Sequence, residues 1–104
     1  MKNISPKELD KKIHSGENFI LLDVRTEEEF EEDGKIKGAI LIPLDQLQHR
    51  VDELDKDKEI VVYCRSGNRS LYASQVLEML GFKKITNLDE GILKWEDEGF
   101  DIEY

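Results

Sequence analysis

Cys64 is the only cysteine in this chain of 104 residues, and Arg65, Ser66, Gly67, Asn68 and Arg69 follow it. A lone cysteine most often serves as a small hydrophobe of the core. Core cysteines are seldom set among Arg, Ser, Gly and Asn, so this one reads differently. The apolar, β-branched run at 60–63 predicts a buried strand ending at the cysteine. From 70 to 80, Ala73, Val76, Leu77 and Leu80 fall on one helical face, with Gly81 as the stop. A cysteine between strand and helix meets unpaired backbone N–H groups and the positive end of the helix dipole. Arg65 and Arg69 add two full charges. Each feature favours thiolate over thiol, and the thiolate is the nucleophile. Gly67 permits backbone angles closed to other residues, and Asn68 is the next most tolerant of a left-handed turn. The loop therefore suits an anionic group attached to, or approached by, the Cys64 sulfur. It is not a nucleotide P-loop, since G-x-x-x-x-G-K-[ST] is absent.

The elements that must hold this loop follow from the patterning. Ser5, Pro6 and Glu8 open a first helix with a capping box, Leu9 and Ile13 give it an inner face, and Gly16 closes it. The run at 19–25 reads as a central strand, apolar on both faces. Thr26 and Glu29 cap a second helix ending at Gly34, and its acidic residues at 27–33 read as a solvated face. A strand is expected at 39–42, mostly helical structure at 44–54, a last strand at 82–86 and a closing helix at 89–98 carrying a core Trp95. Asp23 and Arg25 fall at the carboxyl end of a strand, where open α/β sheets place their ligands. Their reading is a mutual ion pair fixing the strand exit, with support of the loop as the alternative. His14 and His49 sit in polar helical surroundings and are assigned no function. No metal site is expected.

Length allows one domain spanning residues 1–104 with a modest core. Strands alternating with helices over short links argue for an open, mostly parallel sheet covered on both faces. Hydrophobic and charged residues each make up 38%, so the surface is dense with charge. A net charge of −9 argues against nucleic acid or anionic membranes as partners. No run approaches the ~20 apolar residues of a membrane span, and the N-terminus lacks the apolar core of a signal peptide. One cysteine excludes an internal disulfide, and a reducing, cytoplasmic setting is expected.

The blocks VVYCRSGNRS at 61–70, LLDVR at 21–25, GKIKGAILIP at 34–43 and NLDEGILKW at 87–95 together resemble a single-domain rhodanese, in the family's order. The resemblance implies a rhodanese-like α/β fold and a sulfurtransferase. Cys64 would take a sulfane sulfur from a donor such as thiosulfate and pass it to a thiol or cyanide acceptor. Arg65, Ser66, Gly67, Asn68 and Arg69 would bind the persulfide and the anionic donor. A protein persulfide could serve as partner, and no cofactor is implied. The chain departs from the family pattern at Lys35 and Lys37, where a histidine and a proline are common, and at Glu90, where a glycine is. Two other readings remain open. A phosphatase or arsenate reductase would place an arginine six positions after the cysteine, where this chain has Ser70, with Arg69 one residue early. A non-enzymatic module would bind a partner or sense sulfane sulfur.

Overall fold

Short links between strands and helices leave parallel pairing through crossovers as the economical solution, and the computed structural model, which spans residues 1–104, adopts it. In chain order the elements are β1 (Lys2–Ile4), α1 (Pro6–His14), β2 (Phe19–Asp23), α2 (Glu27–Glu32) and β3 (Ile40–Leu41). Two 3₁₀ turns follow at Leu44–His49 and Val51–Glu53, then β4 (Glu59–Tyr63), α3 (Asn68–Met79), β5 (Ile85–Leu88) and α4 (Gly91–Asp97). The strand order is β1-β5-β4-β2-β3, and every pairing is parallel. Cys64 thus leaves the central strand.

Alternation along the strands divides the core in two. Leu22, Ile60, Val62 and Cys64 face Ala73, Val76 and Leu77 of α3, Leu47 of the first 3₁₀ turn and Leu54 just after the second. Leu21, Val61 and Tyr63 face the other way, against Leu9 of α1 and Ile92 and Trp95 of α4. Trp95 is buried as expected, its indole N–H donating to the Asp101 carbonyl at 2.8 Å.

Several boundaries differ from the sequence reading. Strand β1 was not expected, because Lys2-Asn3-Ile4 carries one apolar residue and shows no alternation; it is held by main-chain pairing to β5. The last strand begins at Ile85 and not at 82. Phe82 instead closes α3, its N–H donating to the Leu77 carbonyl at 3.0 Å after Gly81 turns at φ 96°. The segment 44–54 winds as 3₁₀ turns with no side-chain cap at either start. Helix α3 starts at Asn68, two residues early, so only Gly67 takes the left-handed conformation.

Candidate active site

At the start of α3 the sulfur of Cys64 does the work of a helix cap. Gly67, at φ 105°, turns the chain so sharply that its own N–H donates to Sγ at 3.1 Å, and the N–H of Ser70 donates at 3.3 Å. No side chain caps α3, so the sulfur receives first-turn N–H groups that Ser or Asp would otherwise take. The Ser70 hydroxyl lies 3.4 Å from Sγ and donates to the Gly67 carbonyl at 3.2 Å. The thiol proton points at that oxygen. Once the proton leaves, the hydroxyl can turn its own hydrogen onto the sulfur, giving three donors around one anion. Ser70 is a residue the sequence reading noted only as a missing arginine. Its position six after the cysteine was the available signal.

Cys64 is only 1% exposed and belongs to the hydrophobic cluster over α3. The sulfur is therefore walled by apolar side chains below and addressed by N–H groups above. The bland and the reactive readings of this cysteine describe two sides of one atom.

The five loop residues do not act as one ring of side chains. Arg65, Ser66 and Asn68 are exposed, and none hydrogen-bonds to the sulfur through its side chain. Ser66 borders a depression shared with Glu90, Leu93, Lys94, Glu96 and Asp97, on the α4 side. Arg65 forms no ion pair and borders a groove with Leu93, Glu96 and Ile102. Arg69 turns the other way, toward α2, and meets Glu29 in a two-pronged pair at 2.7 and 2.9 Å. Glu29 was expected on a solvated face; its side chain is 18% exposed. The hydrogen bonds from Arg69 hold the Glu29 carboxyl down to about pKa 2 against the opposing effect of burial. The guanidinium is raised in turn, chiefly by Glu29.

Asp23 and Arg25 form the mutual pair read from the sequence, with guanidinium to carboxylate bonds of 2.8 to 3.1 Å. Arg25 also donates to the Gly34 carbonyl at 2.7 Å and lies 5.7 Å from the Tyr63 ring centre. Burial opposes the Arg25 charge, yet Asp23 more than offsets it and raises its pKa. Burial, aided by Asp23, pushes the Tyr63 phenol up. Neither Asp23 nor Arg25 hydrogen-bonds to residues 64–70; the pair fixes the strand exit on the face opposite Cys64.

Helix α4 bolts the loop from outside. The N–H of Ile92 donates to the Cys64 carbonyl at 2.9 Å, and that of Leu93 to the Arg65 carbonyl at 3.1 Å. The backbones meet so closely that a Cβ on Gly91 would stand 2.7 Å from the Cys64 carbonyl oxygen. Glu90, before it, takes φ 60°, the one positive φ outside glycine. Lys35 stacks over Phe30 at 4.5 Å and pairs with Glu103 through the backbone, while Lys37 is exposed. His49 lines a cleft of about 490 Å³ beside Arg69, with Pro43, Leu44, Leu47 and Tyr72. His14 sits on α1 with its Nδ1 2.8 Å from the Asp10 carbonyl. No three His, Cys, Asp or Glu side chains are grouped to hold a metal ion.

Known proteins share the fold and much of the sequence. The family model described as a rhodanese-like domain matches residues 5–98. The Bacillus subtilis protein YtwF is 41% identical over 98 residues, covering 94% of this chain and 93% of its own. A protein of Allochromatium vinosum named sulfurtransferase is 33% identical over 102 residues, covering 98% and 94%. The crystal structure of a rhodanese-like domain protein from Staphylococcus aureus superposes with a TM-score of 0.87 at 33% identity, each chain fully covered. Matched along nearly all of its length in both sequence and fold, the chain belongs to the rhodanese-like family.

Proposed function

We propose that this domain is a sulfurtransferase that carries sulfane sulfur on Cys64. The observation that supports it most is the sulfur capping α3, held by the N–H groups of Gly67 and Ser70 with the Ser70 hydroxyl alongside. In the first half-reaction the Cys64 thiolate attacks the sulfane sulfur of a donor. A new S–S bond forms while the donor's own bond to that sulfur breaks. With thiosulfate the electron pair leaves on sulfite. The outer sulfur then lies ~2 Å beyond Sγ, toward the loop residues Arg65, Ser66, Gly67, Asn68 and Arg69. In the second half an acceptor thiolate or cyanide attacks that outer sulfur, and the pair returns to Cys64. Nothing is oxidised or reduced overall, so no cofactor enters. With one cysteine in the chain, the attacking thiol must come from outside, as a small molecule or a protein. The cleft beside Arg69, with its apolar lining and Tyr72, offers room for the carbon portion of such a partner. A reduced lone cysteine fits a cytoplasmic setting, and no helix is long and apolar enough to cross a membrane.

Near-complete burial of Cys64 favours one second reading, a module that holds or senses sulfane sulfur without turning it over. Intact-mass spectrometry after exposure to thiosulfate, and again after a thiol, tests both. Wild type should gain one sulfur and then lose it, and Cys64→Ser should gain none. A persulfide that no acceptor discharges favours the sensing module. An unchanged wild-type mass with every sulfane donor, in folded protein, removes both.

A further inference from the structure

Two arginines follow Cys64 in the loop, yet their circumstances differ. Arg65 is exposed and unpaired, whereas both terminal nitrogens of Arg69 are taken by Glu29. Glu29 is itself pinned. Its Oε1 accepts the Thr26 N–H at 3.1 Å and lies 3.2 Å from the Thr26 hydroxyl, completing the cap of α2. The capping box favours the Glu29 carboxylate staying in place when an anion arrives. Arg69 closes the loop that begins at Cys64 and stands one residue before Ser70, whose N–H addresses the sulfur, so its charge belongs to the segment that would hold a donor. We propose that Glu29 is a specificity-determining residue: by occupying the Arg69 fork it neutralises the cation that an oxyanion beside the sulfur would need. The favoured donors are those whose leaving group is not an oxyanion, such as an organic or protein-bound persulfide, with thiosulfate disfavoured. This deepens the sulfur-transfer reading and rests on it.

The pair makes a charge ladder possible. Glu29→Gln removes one negative charge and keeps the cap, since glutamine serves at that helical position. Arg69→Ala removes one positive charge, and the double substitution restores neutrality. Thiosulfate affinity is measured by titration calorimetry in a Cys64→Ser background, where no sulfur can transfer. Glu29→Gln should tighten binding about 5-fold, the scale of one partly exposed charge pair. Arg69→Ala should weaken it by a similar factor, and the double variant should return close to the Cys64→Ser parent. With Cys64 present, Glu29→Gln should raise sulfur uptake from thiosulfate and leave uptake from an alkyl persulfide, whose leaving group is a thiolate, within twofold. Unchanged affinity in Glu29→Gln, or no measurable binding in any variant, overturns the assignment. Should Glu29→Gln fail to fold, Arg69→Ala reads the same pair from its other side, and unaltered affinity there is equally decisive. The two readings fail separately. Wild type that takes up sulfur while the ladder stays flat loses only Glu29; a ladder that behaves while no donor loads Cys64 loses only the sulfur chemistry.

Discussion

Ser70 separates an inert core cysteine from an addressed one. Its hydroxyl is fully buried and hydrogen-bonds only with the sulfur and the Gly67 carbonyl, so removing it would leave a Cys64 thiolate with two donors in place of three. Ser70→Ala should slow sulfur uptake roughly 5- to 30-fold, corresponding to about 1–2 kcal/mol for a hydrogen bond to a charged group. Single-turnover mass spectrometry measures this directly; an unchanged rate would mean that the backbone N–H groups suffice. Glu29 makes a prediction of another kind. Its carboxyl is depressed from the ordinary 4.5 to about 2 in the folded domain, first by Arg69. A depressed carboxyl stabilises the fold above its unfolded pKa and loses that contribution as pH falls through the folded one. The stability gap between wild type and Glu29→Gln should therefore be present at pH 5 and vanish between about 4.5 and 2. Urea melts of both proteins across that window are the measurement, and a gap that stays constant with pH would exclude the charge as its cause.

At the scale of elements, the junction between the active-site loop and α4 carries the strain. Glu90 sits at φ 60° because the next residue must bring its backbone against the Cys64 and Arg65 carbonyls. A left-handed conformation costs a side-chain-bearing residue ~1–2 kcal/mol, partly offset by the extra freedom glycine loses on folding. Glu90→Gly should stabilise the domain by about 0.5–1 kcal/mol, raising Tm by a few degrees. It also removes a carboxylate from the depression bordered by Ser66, so sulfur uptake from anionic donors should not fall. A lower Tm in calorimetry would mean that the Glu90 side chain makes a compensating contact.

For the whole molecule, a net charge of −9 opposes the approach of any anionic donor. Repulsion from distant surface carboxylates is long-ranged, and the screening length falls from ~30 Å at 0.01 M salt to ~10 Å at 0.1 M. Contacts at the loop are screened far less. Raising salt over that range should leave sulfur uptake from thiosulfate unchanged or slightly faster. A steep fall would show that exposed Arg65 steers the donor from a distance and outweighs the global charge.

Much of this was legible because local geometry encodes it. Ser5 with Glu8 and Thr26 with Glu29 are three residues apart, a spacing the helix turns into contact whatever surrounds it, and both capping boxes form. Cys64 between strand and helix, and Gly67 where the chain must turn left-handed, are fixed by the same short-range logic. The alternation of elements implied the parallel sheet. What the sequence could not reveal depends on which strands become neighbours. Lys2–Ile4 is a strand only because β5 offers it an unpaired edge. The strain at Glu90 exists only because α4 docks on the loop. Arg69 and Glu29 are 40 residues apart, and no periodicity links them. Glu29 was fully accounted for as a helix cap, yet a carboxylate has two oxygens with lone pairs to spare. The fold brings Arg69 of α3 to Glu29 of α2, and that arginine takes up the remaining capacity. The placement of the lone cysteine between strand and helix is therefore a property of the sequence, and the charge around it is a property of the fold.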